Sequence, residues 1–224
     1  MNSVSQISVF FITVPVILLA LTVHEVSHGY TAYKMGDSTA KNFGRLSLNP
    51  IKHLDIVGAL CMLLFHFGWA KPVPINTRNF KNPRKGMALT ALAGPVSNFI
   101  MAFVSLLLFR VCATLVELIP QQSNLPDFLC KFLAYLLLFF QFGASLNISL
   151  GIFNMIPVPP LDGSRVLYVF LPIKYYFGIM KYERYISLAL MALLYIGVLD
   201  RPLSFLVNQI FLGMNFIINF IPFI

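Results

Sequence analysis

The sequence is poor in charge. Only 11% of its 224 residues are Asp, Glu, Lys or Arg, whereas soluble globular domains carry about 25%. Hydrophobic residues make up 58%, and the mean hydropathy is +0.80. No stretch is long and polar enough to form a separate soluble domain. The composition therefore predicts one integral membrane domain that occupies residues 1–224.

Cysteine is also scarce. The three cysteines, Cys61, Cys112 and Cys130, are isolated and form no C-x-x-C pair, so the sequence indicates neither a disulfide framework nor a thiolate zinc site. The net charge is +8, but the basic residues flank apolar segments instead of forming one stripe. This pattern favours membrane topology over nucleic-acid binding.

The first apolar segment has no charge for 17 residues, from Ile7 to Val23. That length covers most of a hydrocarbon core of roughly 30 Å. Residues 1–6 contain no Lys or Arg, so we expect a retained span and not a cleaved signal peptide. The predicted span runs from Ile7 to Met35, with Gly36 as its stop.

Two histidines and a glutamate lie inside this span, in the run His24-Glu25-Val26-Ser27-His28. On a helix, His24 and His28 are one turn apart on the same face, so both can bind one metal ion. Glu25 projects about 100° away, where it can accept a proton from water at the metal. Ionisable groups cost about 2.5–3.5 kcal/mol each in a span, which favours a zinc hydrolase motif over a chance pattern.

A third ligand is predicted downstream, after the run Asn154-Met155-Ile156-Pro157-Val158-Pro159-Pro160-Leu161-Asp162-Gly163. The prolines end a helix at membrane depth, which is tolerated where protein or a wet cavity surrounds the chain. Asp162 is the strongest candidate for the ligand, and its alternative role is a helix N-cap. Asp55 and His66 are weaker candidates, and His53 is expected to be a solvated loop residue.

The predicted fold is an all-α polytopic membrane protein with five to six spans. The basic segments are placed on the cytoplasmic side and the acidic connector Leu118–Cys130 outside. The stretch Ile56–Trp69 has only 14 residues and lies between two basic loops, so we expect it to re-enter as a half-inserted hairpin. The other predicted spans are Gly86–Glu117, Lys131–Ile156, Tyr185–Leu199 and Leu203–Ile221.

Two further segments are candidates for substrate binding. Prolines at alternate positions in Trp69–Asn76 exclude a helix, and an edge strand there could pair with an extended substrate through Val73, Pro74 and Ile75. An interfacial connector is the alternative. Asn98 either contacts substrate or hydrogen-bonds a neighbouring helix, as small and polar residues in spans commonly do.

Together, these motifs resemble the site-2 protease family of intramembrane zinc metalloproteases. The resemblance covers about residues 7–169 and includes Gly44–Pro50, Gly68–Pro74 and Gly94-Pro95-x-x-Asn98. It implies one Zn²⁺ per chain bound by His24, His28 and Asp162, with Glu25 as general acid and base. It also implies that Asn154 assists near the substrate carbonyl.

The basic loops lie at the end of the first span that holds the motif, so we expect an active site toward the cytoplasm. The resemblance further implies substrates that are single-span proteins already trimmed by another protease. The 50 residues of 36–85 leave no room for the PDZ domain that many members carry there, so the chain resembles the short members. Residues 185–221 are expected to be accessory helices. A transmembrane zinc transporter is the alternative function, because His and acidic residues in spans can also relay ions.

Overall fold

The computed structural model describes residues 6–55, 57–58, 70–119 and 126–221. These residues are mostly helical. Eight α-helices follow one another along the described chain, and two short 3₁₀ turns lie at Pro50–Lys52 and Thr77–Asn79. The helices are α1 (Gln6–Lys34), α2 (Thr39–Asn42), α3 (Pro83–Glu117), α4 (Asp127–Met155), α5 (Asp162–Leu167), α6 (Ile173–Met180), α7 (Glu183–Ile196) and α8 (Asp200–Asn219).

Four of these helices are long and apolar enough to cross a membrane: Phe10–Lys34, Pro83–Glu117, Asp127–Met155 and Asp200–Asn219. The prediction of five to six spans is not confirmed. The segment predicted to span at Tyr185–Leu199 forms α7, which has 14 residues and a length of about 21 Å. Most of the predicted half-inserted hairpin, residues 56 and 59–69, lies outside the described residues.

Helices α1, α3 and α4 pack against one another and form the centre of the bundle. Small residues allow this close approach: a Cβ on Gly143 of α4 would lie 3.2 Å from Ser105 Oγ of α3. Helix α8 packs against α3 and α4 through two clusters. Its Leu203 packs near Ile152 and its Ile218 near Ala144, so α8 runs antiparallel to α4.

An extended segment, residues 71–76, precedes the second 3₁₀ turn and α3. It forms no strand among the described residues, where the only bridge is the antiparallel pair Leu54 and Ala70. Side chains hold it at both ends. Arg45 donates to the carbonyl oxygens of Lys71 and Pro72 at 3.1 and 3.0 Å and also to that of Lys52.

The other end of this segment is held by Asp37, which lies three residues after the end of α1. Asp37 accepts hydrogen bonds from Asn76 N and Asn79 Nδ2, both at 2.7 Å. The predicted non-helical conformation of the segment is confirmed, whereas an assigned edge strand is not found in the described chain. Apart from Lys71 N, which donates to the carbonyl oxygen of His53, the described backbone bonds of the segment go to side chains and not to a neighbouring strand.

Candidate metal centre

Two buried imidazoles face each other on α1. His24 and His28 are 6% and 7% exposed, and their Nε2 atoms lie 3.0 Å apart. This proximity follows from the helix, because residues four apart stand one above the other on the same face. The helix thus brings both rings, as the sequence pattern predicts, to one point.

Asp162 reaches the same point from the start of α5. Its Oδ2 atom lies 3.2 Å from the Nε2 atom of each histidine. The turn that delivers it needs a glycine: a Cβ on Gly163 would lie 2.3 Å from Met155 O and 2.5 Å from Ile156 O. Only a residue without a side chain lets α5 begin directly against the end of α4.

Both histidines hold their Nδ1 atoms against hydrogen-bond acceptors. His28 Nδ1 lies 2.7 Å from the carbonyl oxygen of Thr90, which can only accept, so this nitrogen donates. His24 Nδ1 lies 2.6 Å from Asn98 Oδ1. In neutral imidazole the other nitrogen then carries a lone pair, and two Nε2 lone pairs point toward the Asp162 carboxylate.

These three groups fit a tetrahedral metal ion. The candidate ligand atoms of His24, His28 and Asp162 all lie within 4.8 Å of one another, and the three atoms named above are 3.0–3.2 Å apart. Ligands about 2.0–2.1 Å from Zn²⁺ in a tetrahedron are about 3.3 Å apart. Asp162 Oδ2 is buried without a hydrogen-bond donor from the described protein, as expected of an atom that binds a cation.

Glu25 lies beside this cluster and is fixed by the extended segment. Its Oε2 atom accepts a hydrogen bond of 2.9 Å from the backbone N–H of Val73. Among the described residues no hydrogen bond reaches its other oxygen, Oε1. The backbone N–H of the extended segment thus orients the carboxylate through Oε2.

Other predicted residues lie in different surroundings. Asn98 is fully buried and bonds to His24 and to Asn147 Oδ1, at 2.6 and 2.8 Å. This placement agrees with the helix-bonding alternative and leaves its side chain no surface on which to meet a substrate. Asn154 donates to Leu150 O at 3.0 Å within its own helix.

The extended segment borders a cavity next to the cluster. The cavity has a volume of about 240 Å³, and its lining includes His28, Ile75 and Arg165. Ile75 therefore lies near the candidate ligands, whereas Val73 is buried and its backbone N–H donates to Glu25 Oε2. The neighbouring Pro74 is half-buried.

The weaker candidates for the third ligand take no part in the cluster. Asp55 Oδ1 accepts locally from Gly58 N, and His66 lies outside the described residues. The expectation that His53 is solvated is wrong: it is 3% exposed. Its Nε2 atom lies 2.8 Å from Ser47 O, and its carbonyl accepts from Lys71 N, so the residue is part of the support beneath the extended segment.

Sequence reasoning missed the supporting residues. Asn147, Asp37 and Arg45 are buried and hold the histidine or the extended segment. Two sequence features could have pointed to them: Asp37 is an acidic residue close to the end of a span, and Asn147 is an amide within a span. Both types are common at helix ends and in helix contacts, so sequence alone does not single them out.

Four apolar helices with two histidines, an aspartate and a nearby glutamate define a membrane protein with a candidate metal centre of the hydrolase type. The sequence model of peptidase family M50 matches residues 12–197 of this chain, and the chain belongs to this family.

Curated relatives agree with this assignment. YwhC of Bacillus subtilis, provisionally named a zinc metalloprotease, is 44% identical over 67% of this chain and 65% of its own length. Zinc metalloprotease MJ0392 of Methanocaldococcus jannaschii is 28% identical over 93% of this chain and 50% of its own. Rip2 of Mycolicibacterium smegmatis, also provisionally named a zinc metalloprotease, is 25% identical over 73% and 58%.

The chain thus spans between half and about two thirds of the length of these curated relatives. No solved structure matches it significantly.

Proposed function

We propose that this chain is an intramembrane zinc metalloprotease that hydrolyses peptide bonds within or next to the spans of membrane proteins. The observation that carries the proposal is the convergence of two Nε2 atoms and a carboxylate oxygen within 3.2 Å, beside a glutamate, in an apolar helix. Membership of peptidase family M50 and the names of the relatives support it. Family membership does not favour the transporter alternative.

His24, His28 and Asp162 would hold one Zn²⁺ per chain. Zinc in such a site supplies a Lewis acid that polarises a carbonyl and lowers the pKa of a water molecule toward about 7. The protein keeps both Nε2 lone pairs available, because Thr90 O and Asn98 Oδ1 accept from the Nδ1 atoms. Asp162 contributes the negative charge that offsets part of the cation's charge in this apolar setting.

Glu25 would act as the general base and then as the general acid. The Val73 N–H holds Oε2, so Oε1 is the oxygen that accepts a proton from the attacking water. The same oxygen then delivers that proton to the leaving amine. Because a backbone donor already fixes the carboxylate, little rotational freedom of Glu25 remains to be lost on reaching the transition state.

Asn154 would donate a hydrogen bond to the developing oxyanion. One hydrogen of its NH₂ group bonds to Leu150 O, and an amide has a second one to give. Asn154 lies in the last turn of α4, just before the proline-rich segment, and on the same side of the bundle as Asp162. An amide donor at this position would stabilise negative charge that grows during attack on the carbonyl.

The substrate would be a single-span membrane protein, already trimmed by another protease, as the family resemblance implies. A helix hides its carbonyls in its own hydrogen bonds, so the cleaved stretch must unwind. Residues 73–75 would bind the unwound stretch, with Ile75 closest to the cavity beside His28. The lipid bilayer would be the second partner, and no nucleic acid would bind. Peptide-bond hydrolysis would take place in one domain whose catalytic core is residues 7–169.

The active site would lie toward the cytoplasm. Helix α1 ends at Lys34, α3 begins at Pro83 and α5 begins at Asp162, so these ends share the side of the bundle that holds the metal ligands. The loops on this side carry most of the basic residues. Basic loops are retained on the cytoplasmic side of membranes, which supports this orientation.

The test is cleavage of a helix-destabilised single-span substrate by purified protein in detergent. We compare the wild type with Glu25→Gln at equal bound zinc and use Glu117→Gln, at the opposite end of α3, as the matched control. We expect Glu25→Gln to lose at least about 10²-fold in turnover while the control and zinc content are unchanged. Equal cleavage by Glu25→Gln would remove the glutamate from the mechanism, and zinc flux into liposomes without cleavage would favour a transporter.

A further inference from the structure

Asn147 lies on α4, outside every motif that describes the site, and is 2% exposed. Its Nδ2 atom donates to Gly143 O at 2.8 Å. Its Oδ1 atom accepts from Asn98 Nδ2, also at 2.8 Å. Asn98 Oδ1 in turn lies 2.6 Å from His24 Nδ1. A chain of three hydrogen bonds therefore runs from the backbone of α4 through α3 to a metal ligand on α1.

The direction of this chain is fixed at its far end. The carbonyl oxygen of Gly143 can only accept, so Asn147 must turn its NH₂ group toward it and its oxygen toward Asn98. Asn98 must then present its NH₂ group to Asn147 and its oxygen to His24. That oxygen can only accept, so His24 Nδ1 carries the hydrogen and Nε2 keeps the lone pair.

We propose that Asn147 is a positioning residue, which sets the tautomer of His24 through Asn98 and thereby makes Nε2 a metal ligand. This inference rests on the zinc site of the proposed function. The two histidines are then oriented by the same device, a backbone carbonyl. Thr90 O acts on His28 directly, whereas Gly143 O acts on His24 through two side-chain amides.

The role of Asn147 follows from a property of amides. An Asn side chain rotated by 180° has almost the same shape but exchanges its donor and acceptor. Without Asn147, nothing in the described contacts of Asn98 would favour one orientation over the other. In the rotated state its NH₂ group would donate to His24 Nδ1, the ring hydrogen would move to Nε2, and that nitrogen could not bind a cation.

The experiment measures zinc affinity by chelator competition and the visible spectrum of bound Co²⁺, in purified protein. Asn147→Leu keeps a similar size and removes the amide, and we expect it to weaken zinc binding by about 10- to 100-fold and to change the Co²⁺ spectrum. Asn215→Leu is the matched control, because Asn215 makes the same bond to its own helix, to Phe211 O at 3.1 Å, but lies on α8 away from the histidines.

A second background separates tautomer control from simple packing. In Asn98→Asp both side-chain oxygens can accept, so rotation of residue 98 no longer matters, and Asn147 would turn its NH₂ group from Gly143 O toward the new carboxylate. There we expect Asn147→Leu to change zinc affinity by less than about threefold, since His24 Nδ1 keeps its acceptor. An equal loss in both backgrounds would mean that Asn147 acts by packing and would overturn the proposal, as would wild-type affinity in Asn147→Leu.

A third measurement needs only the wild-type protein. Nitrogen NMR of ¹⁵N-histidine in the metal-free chain, at a pH where the ring is neutral, should show His24 with its hydrogen on Nδ1. A hydrogen on Nε2 would overturn the proposal. Failure of the wild type to bind zinc would instead remove the metal site itself, so the two failures are distinguishable.

Discussion

At the scale of single residues, the candidate metal centre depends on Gly94 of α3, which has no side chain. A Cβ on Gly94 would lie 2.5 Å from Cε1 of both His24 and His28 and 2.5 Å from His28 Nε2. Contacts this short are not tolerated between packed atoms, and the atoms that would have to move belong to the candidate ligands themselves. Glycine at this position lets α3 lie directly against both rings.

We therefore predict that Gly94→Ala displaces both imidazoles and weakens zinc binding by at least about tenfold. Isothermal titration calorimetry with zinc, on protein purified in detergent, measures the zinc affinity. Gly213→Ala is the control, because a Cβ on Gly213 of α8 meets nothing within 4 Å, and its zinc affinity should match the wild type. Wild-type affinity in Gly94→Ala would show that α3 and the rings do not approach so closely.

The residue types at the centre explain which parts could be predicted from sequence. His24, His28 and Asp162 could be recognised as a group because ionisable groups in apolar segments are costly and thus informative. Asn98 could not be resolved, since an amide in a span satisfies either a neighbouring helix or a substrate. The role of Gly94 depends on how near two helices approach, which only the packed structure provides.

At the scale of elements, the extended segment 71–76 has two N–H groups on one edge, one that holds Glu25 and one that could bind substrate. In an extended chain, the N–H groups of Val73 and Ile75 point the same way. The first already donates to Glu25, and no described residue accepts from the second. A substrate strand added at this edge would therefore pair with Ile75, and Val73 would remain bonded to the Glu25 carboxylate, the proposed general base.

We predict that Ile75→Pro, which removes this N–H, lowers kcat/KM for a single-span substrate by roughly fivefold, since one backbone hydrogen bond contributes about 1 kcal/mol. Ile75→Ala keeps the N–H and is the control for the lost side chain. The measurement is the cleavage rate at several substrate concentrations. Equal values for the proline and alanine variants would indicate that substrate does not pair with this edge.

The far end of the same segment has a built-in dependence on pH. Burial raises the pKa of Asp37, but hydrogen bonds from Thr39, Asn76 and Asn79 outweigh it and lower the pKa below its ordinary value of 3.8. A carboxyl group with a lowered pKa stabilises the folded state fully above its unfolded-state pKa. This stabilisation is lost as pH falls through the lower folded-state pKa.

We predict that Asp37→Asn is less stable than the wild type at pH 6 by about 2 kcal/mol, because an amide cannot accept all the bonds that reach the carboxylate. The difference should shrink between pH 4 and pH 2, where the wild type loses its own charge. Thermal unfolding of both proteins across this range tests it. A difference that stays constant with pH would mean that the charge of Asp37 contributes nothing.

Element lengths and partners set the limit of the sequence prediction. Helices α1, α3 and α4 were predictable from long apolar runs, and the extended segment from its alternating prolines. Whether it forms a strand depends on a partner, and its backbone is instead bonded to Arg45, Asp37 and Glu25. The composition of α7 predicts a membrane span, but a straight helix of 14 residues is too short to cross the hydrocarbon core.

At the scale of the whole molecule, the short α7 changes the topology. Five spans in sequence would place the turn at Asp200–Pro202 on the opposite side of the membrane from the basic loops. In the structure α8 begins next to the end of α4 that precedes Asp162, and it then runs parallel to α3. The turn before α8 therefore lies on the same side as the candidate metal ligands.

We predict that single cysteines at Lys52 and Arg201 are labelled by a membrane-impermeant thiol reagent from the same side of a sealed vesicle. A cysteine at Asp127, where α4 begins, should be labelled only from the other side. The background lacks the three native cysteines and must retain cleavage. Labelling of the Arg201 position together with the Asp127 position would restore the five-span topology, and α7 would then have to cross a locally thinned bilayer.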